Sequence, residues 1–71
     1  MALETLTLEI GGMTCANGAR SVERKLGSTP GVTKVTVDLE HAVASVEYDT
    51  SLVTPSAIAN EIRTLGYEVK A

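Results

Sequence analysis

Apolar residues change period several times along the chain, and each change marks an element. Leu6, Leu8 and Ile10 alternate with Thr7 and Glu9. That period of two predicts a half-buried strand, which Gly11 and Gly12 end. From Cys15 the spacing lengthens. Cys15, Ala19, Val22 and Leu26 fall on one face of a helix, which Gly27 and the Thr29-Pro30-Gly31 run stop. Alternation returns through Val35, Val37 and Leu39, then through Ala42, Ala44, Val46 and Tyr48. The short Glu40-His41 step between these runs predicts a tight hairpin. Thr54 before Pro55 predicts an N-cap with proline at the first helical position. Ile58, Ile62 and Leu65 follow at helical spacing, Gly66 closes that helix, and Tyr67-Glu68-Val69 gives a last short strand.

The order is thus βαβ followed by βαβ. Right-handed crossovers interleave two such units into a four-stranded antiparallel sheet with both helices on one face, the α+β ferredoxin-like sandwich. The other sheet face is expected to be wet, because Thr, Glu, Lys and Asp occupy the outward strand positions.

At 71 residues the chain is expected to form one domain, 1–71, with no linker or low-complexity segment. A chain this short buries only about 60% of the surface its unfolded form exposes. Cys15 is the only cysteine, so no internal disulfide helps, and stability must come from the aliphatic core that 44% hydrophobic residues supply. The net charge of -3, with two Tyr and no Phe or Trp, argues against a nucleic-acid partner. No apolar run approaches the roughly 20 residues of a membrane span. The N-terminus alternates polar and apolar residues and lacks a basic start followed by an apolar block, so no secretory signal is expected. A free thiol then suits a reducing cytoplasmic setting.

One stretch does not reduce to packing. "GGMTCANGAR", residues 11–20, places the single thiol in a glycine-rich loop that opens into a helix. Exposed N–H groups and the positive end of the helix dipole favour thiolate over thiol there. The alternative is a small, inert, half-buried cysteine.

The string "LEIGGMTCAN" at 8–17 resembles the heavy-metal-associated domain, a family that includes copper chaperones, the N-terminal domains of copper-transporting P-type ATPases and a mercury-binding protein. "ARSVERKL" at 19–26, "PGV" at 30–32, "VTVDL" at 35–39, "ASVEYD" at 44–49 and "LGYEV" at 65–69 match in order, so the resemblance covers nearly the whole chain. It implies the same fold and a metal loop of the form G-M-T-C-x-x-C. Gly12, Met13, Thr14 and Cys15 match that motif, with Ala16 and Asn17 in its variable positions. Gly18 stands where the second cysteine belongs.

The resemblance therefore implies a soft-metal binding and transfer module with a weakened, one-cysteine site. Cu(I) is the expected ion, with Hg(II), Ag(I) or Zn(II) as others. The missing donor would come from a small thiol, from a docking partner, or from Cys15 of a second chain in a metal-bridged homodimer. The expected partner is a copper-transporting ATPase or a copper chaperone domain. The alternative is a metal-free variant that acts as an interaction or regulatory domain.

The remaining candidates each have two readings. Met13 is either a thioether ligand or, as the resemblance implies, an inward residue that supports the loop. Tyr67 either shields the metal site, as in bacterial members of the family, or is an ordinary half-buried tyrosine. His41 is expected to be a surface residue, far from Cys15 or exposed. Arg20, Arg24 and Lys25 against Glu23 give the first helix a net +2 and leave the remainder at -5. That helix face either docks an acidic partner, gaining mainly encounter rate, or is simply solvated. No Ser-His-Asp or paired-carboxylate arrangement suggests catalysis.

Overall fold

A computed structural model of the chain describes residues 2–12 and 16–70. The elements run β1 (Leu3–Gly11), α1 (Ala16–Gly27), β2 (Val32–Asp38), β3 (Val43–Asp49), α2 (Pro55–Arg63) and β4 (Glu68–Lys70). The strands lie in the order β2-β3-β1-β4, and every neighbouring pair is antiparallel. β1 and β2 both run against β3, and β3 and β4 both run against β1, so each helix is a crossover between parallel strands, as the two-βαβ reading requires.

The core lies between the sheet and the helices. Leu8 and Ile10 from β1, Ala44, Val46 and Tyr48 from β3, Val22 and Leu26 from α1, and Ile58 and Ile62 from α2 are all buried. The opposite sheet face is wet, with Thr5, Lys34, Thr36, Ser45 and Glu47 around a shallow depression.

Two expected boundaries move. The β2–β3 connection is not a two-residue step but the four-residue turn Leu39–Ala42, closed by Ala42 N–H donating to the Leu39 carbonyl at 3.2 Å. Asp38 ends the strand by accepting from the His41 N–H at 3.3 Å and lying 2.7 Å from the His41 ring nitrogen. Ala42 takes a positive φ of 54° to re-enter β3. This local side-chain bonding competes with the ladder and overrides the alternation that extends to Leu39.

Leu65 is the second correction. It lies past the end of α2 and is 37% exposed. Thr54 does cap α2, accepting from the Ala57 N–H at 3.2 Å, and Pro55 opens the helix. At the other end Thr64 is the C-cap, and Gly66, with φ of 94°, turns the chain into β4.

Asp49 organises the turn into α2. Its Oδ1 accepts from the Ser51 N–H at 2.9 Å and the Ser51 hydroxyl at 2.6 Å. These hydrogen bonds favour the charged form and hold its carboxyl below the usual carboxylate range, and His41 does the same for Asp38. A lowered folded-state pKa contributes stability above the ordinary carboxylate value, which is lost as pH falls through the folded value. Urea midpoints are therefore expected to fall as pH drops below the ordinary carboxylate value of about 4. An Asp49→Asn variant should show a shallower fall, and an equal acid slope would contradict this role for the carboxylate.

Candidate metal centre

Three chain segments meet at the end of the sheet where β1 stops. β1 ends at Gly11, and Gly12 takes a positive φ of 91° as the chain leaves the sheet. β4 begins beside it, with Gly11 paired to Glu68 and Ile10 to Val69. The β2–β3 turn lies at the same end, because the Ile10 N–H donates to the Ala42 carbonyl at 2.8 Å. Met13, Thr14 and Cys15 of the proposed metal loop lie outside the described residues.

The helix that follows begins at Ala16, one residue after Cys15 in sequence. Ala16 and Asn17 are exposed, while Gly18 is buried in the first helical turn. That turn carries no acidic residue, whereas Arg24 and Lys25 lie in the last. No side-chain anion on the helix's first turn offsets the positive end of its dipole, which leaves that end available to an anionic ligand or side chain.

Tyr67 is half-buried, and its ring packs against Gly12, whose missing Cβ would stand 3.5 Å from Cδ1 of the ring. The tyrosine therefore does flank the start of the loop. Glu68 was not singled out in the sequence, yet its carboxylate oxygen would lie 3.4 Å from a Cβ on Gly11. The available signal was its adjacency to Tyr67, which becomes meaningful only once β4 is known to pair with the last residues of β1.

His41 is exposed, as expected, but its turn is not remote from this end of the molecule. It shares a surface depression of about 200 Å³ with Glu9, Ile10, Gly11, Ala42 and Lys70. Among the described residues no three His, Cys, Asp or Glu side chains converge as a metal-holding cluster.

The basic face of α1 divides. Arg20 and Arg24 are exposed and line a depression of about 230 Å³ with Asn17 and Ser21. Lys25 is half-buried and places Nζ 3.3 Å from Glu61 Oε2 on α2. Its charge is partly answered within the molecule, so the free basic face is carried mainly by the two arginines. Among the described residues no helix is long and apolar enough to cross a membrane.

This arrangement can be compared with known proteins. Copper-transporting ATPase 2 of Rattus norvegicus is 40% identical over 63 residues, which cover 89% of this chain and 4% of that protein's length. The CopZ metallochaperone structure superposes with a TM-score of 0.91 at 36% identity, covering 94% of this chain and all of that one. Oxidized MerP from Ralstonia metallidurans CH34 gives a TM-score of 0.92 at 29% identity, over 97% of this chain and 96% of that one. The model of the heavy-metal-associated domain matches residues 7–68, nearly the whole fold from the middle of β1 to the start of β4, and the chain belongs to that family.

Proposed function

We propose that this chain is a soft-metal binding and transfer module whose own site supplies one thiolate, Cys15, with Cu(I) as the cargo. The observation that carries the reading is the α1 N-terminus. A helix free of acid in its first turn starts one residue after the only thiol, in the family's metal-loop position. Helix N-termini favour thiolate over thiol, and soft thiolates select Cu(I) over harder cations. Similarity to a copper-transporting ATPase and to a metallochaperone supports the same cargo.

The module works by ligand exchange rather than catalysis, on the cytoplasmic side of a membrane. Metal passes between thiolates of docked domains through a shared intermediate, so no free ion is released. The partner is a copper-transporting ATPase or chaperone domain, met by Arg20 and Arg24 with a smaller share from Lys25. Gly12, Met13, Thr14, Ala16, Asn17 and Gly18 shape the loop, and Tyr67 shields it from one side. Because Gly18 contributes no sulfur, the second donor comes from a small thiol, from the partner, or from Cys15 of another copy. Hg(II) and Ag(I) satisfy the same soft-donor chemistry, and Zn(II) does so less well with a single sulfur.

Gly18 also favours a second reading, a domain that keeps the fold and its docking face but carries no metal. Competition for Cu(I) against a chromophoric chelator, with a small thiol present, separates the two. Cys15→Ser is expected to lose at least about tenfold in apparent affinity, the loss of one of two donors. Equal copper retention by both proteins would leave the metal-free reading standing.

A further inference from the structure

We propose that β2 is a self-pairing edge, through which two copies of this chain join their sheets antiparallel about a twofold axis at Thr36. β2 is an outer strand of the sheet, with β3 on one side only. Ile10 bonds to Ala42, one step beyond the Glu9–Val43 pair. In an antiparallel ladder the hydrogen-bonded pairs alternate, so Ala42, Ala44 and Val46 turn their backbone groups to β1. Val43, Ser45 and Glu47 then turn theirs to β2, where they meet Asp38, Thr36 and Lys34. Val35 and Val37 are left presenting N–H and C=O to the open edge.

An antiparallel pairing centred on Thr36 uses those groups directly. Val35 of one copy lies opposite Val37 of the second, and each such pair exchanges two hydrogen bonds. Thr36 faces its own symmetry mate in a non-bonded position, which a twofold axis permits. Side chains agree with this register. Val35 and Val37 are half-buried on the helix side, so each valine gains an apolar cross-strand neighbour.

On the exposed face Lys34 lies opposite Asp38 of the second copy, and Asp38 opposite its Lys34. Lys34 makes no ion pair within 4 Å among the described residues. Shifting the register by two residues would separate these charges and bring a valine out of line. The irregularity between Val32 and Lys34 ends the regular edge and confines pairing to Lys34–Asp38. A lysine on an edge strand usually discourages pairing. Here it discourages every register but the one that matches it with aspartate.

The interface is short, so the association is weak and reversible. It is also independent of the thiol. The end of the sheet bearing Gly12 and the β2–β3 turn points in opposite directions in the two copies, which keeps the two thiol-bearing loops apart.

The test uses metal-free protein with Cys15 alkylated, which removes thiol-bridged dimers. Sedimentation over a concentration series is expected to show a monomer–dimer equilibrium. Amide exchange at Val35 and Val37 should slow as concentration rises, while exchange at buried Val46 should not change. Lys34→Glu and Asp38→Lys should each weaken self-association by about tenfold or more, because two symmetric pairs become repulsive. An equimolar mixture of the two variants should recover a mixed dimer, since opposite charges then face each other at both positions. Backbone chemical shifts report whether each variant keeps the fold, and if Asp38→Lys does not, Lys34→Glu with the exchange data decides. A monomer at every concentration, concentration-independent exchange at Val35 and Val37, or association indifferent to Lys34→Glu would overturn the proposal.

Discussion

Gly18→Cys is expected to raise Cu(I) affinity by roughly 10²–10⁴-fold in the absence of added thiol, the gain from making the second donor intramolecular. Residue 18 lies in the first turn of α1, three positions after Cys15. Two sulfurs from that turn and the preceding loop can hold one soft ion without help from solution. With glycine there, each bound ion must recruit a donor at its bulk concentration. The substitution also replaces a helical glycine with a better helix former, which favours folding by some tenths of a kcal/mol. Gly18 is buried, so a sulfur introduced there is partly withdrawn from water. Chelator competition without added thiol is the measurement. Equal affinities would mean that residue 18 does not face the metal.

Leu26→Ala is expected to cost about 3 kcal/mol, the middle of the range for large-to-small core changes. Leu26 is fully buried and packs in the cluster formed by Val22, Val46, Ile58 and Ile62. For a domain of this size that is a large share of a total stability of about 4–10 kcal/mol. The midpoint of thermal unfolding should fall by roughly 12–24 °C. A fall of only one or two degrees would mean that α1 is not held to the sheet by this residue. Metal binding by the surviving folded fraction should be unaffected, since Leu26 lies near the end of α1 remote from Gly12.

The period of the apolar residues made the fold legible because one sheet face and one stripe of each helix are buried. Every strand and helix was visible in that pattern. Two misreadings came from polar or capping groups that stop an element before its apolar pattern ends. Asp38 bonds to the His41 backbone and closes β2 while Leu39 still fits the alternation. Leu65 fits the helical spacing after Ile62, but Thr64 and Gly66 have already turned the chain. Neither competition appears in a list of hydrophobic positions.

The candidate site was legible in part. The thiol and the predicted helix start are adjacent in sequence, so local reasoning reached them, whereas Gly18 as the place of a second sulfur came only from the resemblance. Tyr67 near the start of the loop followed from the ferredoxin-like arrangement and its shielding role from the resemblance, while its contact with Gly12 needs the pairing of β4 with β1. Glu68 beside Gly11 was missed for the same reason. The Lys25–Glu61 pair spans two helices far apart in sequence, so the charge on α1 was readable while its neutralisation was not.

The central claim is that this chain brings a single sulfur to a soft metal. Native mass spectrometry of the Cu(I)-loaded protein, prepared with a small thiol present, tests it most directly. The expected species hold one copper with one chain and one small thiol, or one copper between two chains. A dominant species of one chain and one copper with no further thiol, persisting in Cys15→Ser, would contradict it.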